Sequence, residues 1–442
     1  QRLDFYAFFC ALPFLADCAR LGSDAKRGRV PVAVFTQLDL VEAARGVVWD
    51  CRGERPVPAD WAVPIESHLD LDFLGAALDG YPDQELRDFM TKGAATSSDA
   101  AGLTMVLGPH LTSLAVEGGF DQVNANVMDF AERGWFEIFR GAFPFCPCRS
   151  TPKGTAEKAG GTLRPTSDGG CPRAETSPPA TSLNDATRSA RLVPEVKPTV
   201  AEFANDIAVL RYAADLFGEE LILISDDFKC YFNQFRTHPS EWFKAAFLWI
   251  EDALGLAAPI WVVEYVLGFG LTAASGIAQR FSHALLWILA MRFDAEEAAL
   301  PELDPVRAQY LRERAALGEF QAALFSLLCY TDDTAMAVVG IDRAARLLEA
   351  WGKLVADVRL MMAGPSKRQV GSCIRWNGVL HNAYLCNQVI PAEKVLRSRR
   401  TLRAVAQRAP MPFREYRSAV GLLGHIHCVL RAKKLDLYGL FL

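Results

Sequence analysis

The chain has 442 residues, 51% of them apolar, and a formal net charge of −5. It is too long for one ordinary core, which predicts two to four subdomains, and its acidic balance argues against a uniformly basic nucleic-acid binder. The charge is uneven: residues 391–442 hold 11 Lys and Arg against 3 Asp and Glu, and residues 1–100 hold 10 against 16, so only the C-terminal part is built to track phosphates.

In chain order, Phe5 to Leu15 is an apolar run broken by Pro13, which reads as a buried element rather than a leader peptide. The sequence starts at Gln1 and stops in a helical-looking run, as a segment of something longer would. A strand over Val30 to Phe35, a helix over Leu38 to Ala44 and the Pro-rich patch Pro56 to Pro64 follow. Leu74 to Gly93 carries apolar residues at helical spacing, with Pro82 near a helix start and Gly93 as the stop. Phe143 to Cys148 is apolar and Pro-interrupted. Thr151 to Arg164, with glycines at 154, 160 and 161, reads as a mobile hairpin carrying Lys158 and Arg164 on its strands; a triphosphate needs such a cationic clamp. Pro172 to Thr181 is an irregular loop. Phe203, Ile207, Leu210, Ala214 and Phe217 recur at helical spacing, which predicts a helix from Val200 to Phe217 closed by Gly218.

An apolar strand, Leu221 to Ser225, then runs into Asp226 and Asp227. Leu267 to Leu286 is a Gly-rich turn entering an amphipathic helix; Glu264 and several glycines argue against a membrane span over 255–276. Phe325 to Cys329 and Ala335 to Val339 are apolar runs flanking Tyr330, Thr331, Asp332 and Asp333, which is how a buried β-hairpin with an acidic tip reads. Adjacent carboxylates at such a tip raise each other's pKa unless a cation sits there, and a hard, oxygen-seeking ion such as Mg²⁺ suits that need. Ala344 to Val358 predicts a helix. Cys373 to Leu380 predicts a strand that pairs with Ala383 to Ile390 through His381-Asn382, and basic helices follow from Ala392. Eleven cysteines without paired spacing predict a reduced, intracellular protein, cytoplasmic or nuclear.

The first-strand Asp, the Gly-rich turn and the Tyr-x-Asp-Asp hairpin, in that order, resemble the reverse transcriptases. Leu74 to Gly93 is similar to the segment that precedes the polymerase in DIRS-type retrotransposons; a gypsy-type element is the other retrotransposon class considered. The resemblance implies an α+β right-hand polymerase. Its N-terminal extension would be 1–110, the fingers with part of the palm 111–220, the palm with catalytic motifs and a primer-grip-like hairpin 221–390, and a partial thumb 391–442. It implies an RNA-directed DNA polymerase that adds deoxynucleoside triphosphates to a primer on an RNA or DNA template with two Mg²⁺ ions, Mn²⁺ being possible. No membrane takes part, and an RNase H domain would belong to the full-length polyprotein.

Residue by residue, the resemblance makes Asp226, Asp332 and Asp333 the metal ligands and Lys367 the residue that orients or protonates pyrophosphate. Lys158, Arg164, Asp227, Tyr231, Phe269, Gly270 and Gln279 would line the nucleotide, with Gln279 towards the template, and Trp376 and Gly378 would be the primer grip. The family places an aromatic residue five positions after the metal-binding Asp. Both Asp226 and Asp227 are available, and Tyr231 stands five after Asp226, which selects Asp226 and makes Tyr231 the residue that excludes a 2′-hydroxyl. This assignment requires Asp226, Asp332 and Asp333 to converge on one face of one antiparallel sheet. The alternatives are a catalytically retired domain that only binds nucleic acid, an RNA-templated RNA polymerase and a metal-dependent hydrolase.

Overall fold

The computed structural model describes residues 68–96, 118–139, 151–157, 163–170, 182–187, 196–249, 260–300, 304–316 and 324–407, with isolated positions between 416 and 424. The expected elements before residue 68, Phe143 to Cys148, the loop Pro172 to Thr181, and Lys158 lie outside these residues. The fold is mixed α and β with antiparallel sheets. Among the described residues, no helix is long and apolar enough to cross a membrane.

The helices α1 (Leu71–Ala77) and α2 (Gln84–Lys92) are followed by α3 (Gly119–Glu132), β1 (Phe136–Phe139), β2 (Lys153–Glu157) and β3 (Leu163–Ser167). Next come α4 (Val200–Phe217), β4 (Leu221–Asp227), β5 (Ala246–Trp249), β6 (Ile260–Glu264), α5 (Thr272–Ala298) and α6 (Pro305–Ala316). The remainder comprises β7 (Phe325–Tyr330), β8 (Asp333–Val339), α7 (Ile341–Val358), β9 (Gln369–Gly371), β10 (Cys373–Trp376), β11 (Val379–Asn382), β12 (Asn387–Val389) and α8 (Ala392–Ala406). The chain divides into two compact units, residues 1–195 with 230–280, and residues 196–229 with 281–442.

In the first unit, Asp70 and Asp83 cap α1 and α2 by accepting the N–H groups of Phe73 and Leu86. The run from Leu74 to Gly93 is thus two helices, parted at Gly80 with φ 77°, and α2 stops at Gly93 as the sequence predicts. Arg280, in the third turn of α5, pairs with Asp83 and Glu85, which fastens α2. β1, β6 and β5 form an antiparallel sheet, and β2 and β3 form the expected hairpin. Lys153 of β2 is buried, yet its ammonium meets Glu264 and the Ser167 hydroxyl, so the charge is compensated within the fold.

The second unit is built on a four-stranded sheet in the order β7-β8-β4-β9. Helix α4 covers one face. It opens with a capping box between Thr199 and Glu202, closes at Gly218 with φ 63°, and buries Phe203, Ile207 and Leu210 against Leu221, Leu223, Ala335 and Ala337. Helix α7 buries Ala344, Leu347, Trp351, Leu354 and Val358, one per helical turn. The sequence reading of the following hairpin needs correction. Cys373 to Leu380 is not one strand: it reverses at Asn377-Gly378, where φ is 45° and 70°, so β10, β11 and β12 make a three-stranded meander. Asn-Gly supplies the two positive φ angles that a two-residue hairpin of right-handed twist demands.

His381 of β11 is fully buried beside Phe203 and Trp376, ring centroids 4.9 and 5.9 Å away, and its Nε2 has no hydrogen-bond partner. Burial lowers its pKa from 6.5 to about 4. The folded state therefore resists protonation, and stability is unaffected above the unfolded pKa but falls as pH drops from 6.5 towards 4, by up to about 3 kcal/mol. His381→Leu should flatten that part of the melting-temperature profile measured between pH 7 and pH 4; an unchanged slope would show that this imidazole is not the group responsible.

Candidate active site

Three carboxylates gather at one end of the sheet in the second unit. β4 and β8 pair Asp227 with Asp333, and Asp226 with Thr334. Successive strand side chains point to opposite faces, and Leu221, Leu223, Ala335, Ala337 and Val339 belong to the α4 core. Asp227 and Asp333 extend that row. Asp226 lies on the opposite face, with its carboxylate against the Trp351 indole of α7 at 3.3 Å.

The tip that holds Asp332 is a two-residue turn, because Tyr330 pairs with Asp333. Thr331 has φ 59°, a left-handed conformation that costs a β-branched residue about 1 to 3 kcal/mol. Neighbouring groups hold it there. The Ser282 hydroxyl donates to the Thr331 carbonyl, and the Phe228 N–H donates to the Asp332 carbonyl at 3.1 Å. The Trp376 indole donates to the Asp333 carbonyl at 2.8 Å, the Asn377 N–H to its carboxylate at 3.2 Å, and the Ser225 hydroxyl to the same carboxylate at 3.4 Å.

Burial raises the Asp333 pKa to about 7, and the charges of Asp227 and Asp332 push it the same way, against the Asn377 N–H. Those three residues also push up the buried Cys329 thiol, after burial itself. Three hard oxygen donors that repel one another are what a divalent cation would relieve. In kind, the donor set suits Mg²⁺. Among the described residues, no group of three or more His, Cys, Asp or Glu side chains is placed so that it could hold a metal ion.

Asp226 therefore does not share a face with Asp333 as the sequence reading required. Its carboxylate is 1% exposed and occupied: Oδ2 accepts from Arg368 Nη2 at 2.6 Å and Nε at 2.9 Å, and Oδ1 accepts from the Asp227 N–H at 3.1 Å. The acid that shares a face with Asp333 is Asp227, one position later. Lys367 is exposed on the turn Pro365–Lys367, beside Arg368. Trp376 is buried and bonded to the hairpin tip as described, and Gly378 is the turn residue whose φ of 70° brings it against the Lys394 side chain.

The other expected site residues belong to the first unit. Tyr231 is 2% exposed, donates its hydroxyl to the Ala278 carbonyl at 3.3 Å and packs edge-on to Phe235 at 5.0 Å, all features of a core ring. Its neighbour Phe232 is only half-buried, and its ring lies 5.4 Å from that of Phe269. Phe269 in turn lies 4.9 Å beneath the exposed Arg164 guanidinium, so a cation and two rings line one partly open surface. Gly270 has φ 111° and touches the end of β3, while Asn184 clasps it by donating to its carbonyl at 3.0 Å and accepting the Thr272 N–H at 2.9 Å. Gln279 is 1% exposed, where a residue reading a template would be open.

No family model matches this chain, and no curated protein does. Among solved structures, it is similar to the foamy viral protease-reverse transcriptase dRH in complex with ds DNA, at 11% sequence identity and a TM-score of 0.44. The likeness covers 86% of this chain and 55% of that one, so the chain spans about half the length of that protein. A likeness of that degree does not identify a fold.

Two residues that the sequence reading left out bear on these assignments. Phe232 had a signal: it is five positions after Asp227, as Tyr231 is after Asp226. Arg368 had none, since nothing in a basic dipeptide tells which of its members folds back onto a strand.

Proposed function

We propose that this chain is an RNA-directed DNA polymerase of a retroelement, with its catalytic carboxylates in the register of Asp227, Asp332 and Asp333. The observation that carries the reading is the pairing of Asp227 with Asp333 across β4 and β8, next to a strained Tyr-Thr-Asp-Asp tip. Three like charges gathered there are what a bound cation would relieve. Asp227, Asp332 and Asp333 would bind Mg²⁺, which when present supplies an activated primer 3′-hydroxyl and neutralises the triphosphate. The rest is positioning. Arg164, resting on Phe269, offers a guanidinium to the phosphates, and Gly270, packed against Ser167 of β3, fixes the turn that carries Phe269. Lys367 stands exposed to act on the departing pyrophosphate, and the exposed Arg397, Arg399, Arg400 and Arg403 of α8 would track the nucleic-acid backbone.

In this register the residue that excludes a 2′-hydroxyl is Phe232. Phe232→Ala should admit ribonucleotides, narrowing the preference for deoxynucleotides by at least about tenfold while leaving the melting temperature nearly unchanged. Tyr231→Ala should instead cost about 3 to 5 kcal/mol of stability and depress use of both sugars together, as truncating a core aromatic does. Competitive incorporation of the two sugar types, with melting curves for each variant, separates the two assignments. A sugar preference that moves in Tyr231→Ala and stays fixed in Phe232→Ala would restore the Asp226 register.

A further inference from the structure

The segment after α7 pairs with β4 twice and leaves a gap between the two pairings. On one side, Lys229 N–H donates to the Met361 carbonyl at 2.9 Å and Ala363 N–H donates to the Asp227 carbonyl at 2.8 Å. On the other, β9 pairs Gln369, Val370 and Gly371 with Ser225, Ile224 and Leu223. Residues 364–368 bow out between these pairings, opposite Asp226. What spans the gap is a side-chain contact: the Asp226 carboxylate takes both Arg368 donors on one oxygen and the Asp227 N–H on the other. Arg368 is half-exposed and Asp226 is buried, so the strand supplies the buried end of the contact and the turn supplies the solvent-facing one.

We infer that Asp226 and Arg368 form a latch that holds the turn carrying Lys367 against the strand end carrying Asp227. Neither is a catalytic residue in this account. They are positioning residues, and their effect on turnover rests on the polymerase reading given above. Two N–H groups converging on one buried carboxylate oxygen fix direction as well as distance, which a lysine at 368 could not reproduce. Asp226 also connects the latch to the site directly, through the backbone amide of Asp227.

The test uses the full chain and four variants, Asp226→Asn, Arg368→Gln, Arg368→Lys and the double Asp226→Asn/Arg368→Gln. Hydrogen–deuterium exchange reports the turn, and single-nucleotide incorporation reports the chemistry. Exchange at 364–368 should rise about fivefold or more in Asp226→Asn and Arg368→Gln with the melting transition retained, because local opening of the turn becomes easier. The value of kcat should fall about tenfold with KM for the nucleotide within about twofold, as expected when positioning for the chemical step is lost and binding is kept. The double variant should be no slower than the worse single one, and Arg368→Lys should recover part of the loss. Unchanged exchange in both single variants would overturn the latch, as would kcat losses that multiply in the double variant. Asp226→Asn falling as far as Asp227→Asn, with exchange unchanged, would place Asp226 among the metal ligands instead. If the wild-type chain extends no primer, the polymerase reading fails and exchange alone decides the latch.

Discussion

Asp227→Asn is expected to lower primer extension by on the order of a thousandfold, about 4 kcal/mol, and to leave the protein folded. The substitution keeps the size of the side chain and removes one of three like charges at the end of the sheet. Asp333, whose pKa is lifted to about 7 by burial and by Asp227 and Asp332, is relieved rather than stressed by that change, so the melting temperature of the metal-free protein should hold or rise. Asp332→Asn should behave alike. Asp226→Asn should not: its carboxylate faces α7 and Arg368, so it should keep roughly a tenth of the activity. Extension assays on the three variants, run beside melting curves, check the order. Near-normal activity in Asp227→Asn would show that the register through Asp227 is wrong.

Gly270→Ala is expected to cost about 3 to 5 kcal/mol of stability, on the scale of backbone strain added to a forced overlap. A Cβ at residue 270 would lie 2.1 Å from the Ser167 carbonyl oxygen, a backbone atom that cannot swing aside, and φ of 111° disfavours any L side chain. The damage would reach the hairpin. Ser167 N–H donates to the Phe269 carbonyl at 3.0 Å, so moving the end of β3 loosens the turn and shifts the ring that supports Arg164. Gly276→Ala is the control: it lies in α5 with nothing within 4 Å of the added carbon, and should be neutral or stabilising by up to about 1 kcal/mol. Urea unfolding of both variants decides the point, and equal midpoints for the two would refute the close approach.

Why some of this was legible in the sequence and some was not follows from how each strand is buried. The β7-β8 hairpin was readable because polar residues interrupt two apolar runs at one place, and α4 because its apolar residues recur at 3.6 and end at Gly218. The register at Asp226 and Asp227 was not. Leu221, Ile222, Leu223 and Ile224 are all apolar because both faces of β4 are covered, so no alternation marks which face each acid joins. Only the partner strand decides it, through Asp333. The same limit affected Tyr231 and Phe232, adjacent rings of which one is core and one half-open. The Asn377-Gly378 turn is a different case: the two-residue signal was present in the sequence and was overridden by the apolar run around it.

The most direct measurement is extension of a labelled DNA primer by the purified chain on RNA and on DNA templates, with Mg²⁺ and either deoxy- or ribonucleoside triphosphates. The account predicts template-dependent addition of deoxynucleotides on RNA, weak use of ribonucleotides, and loss of product in Asp227→Asn. Primer binding without any extension on either template would contradict it and favour a domain that holds nucleic acid without copying it.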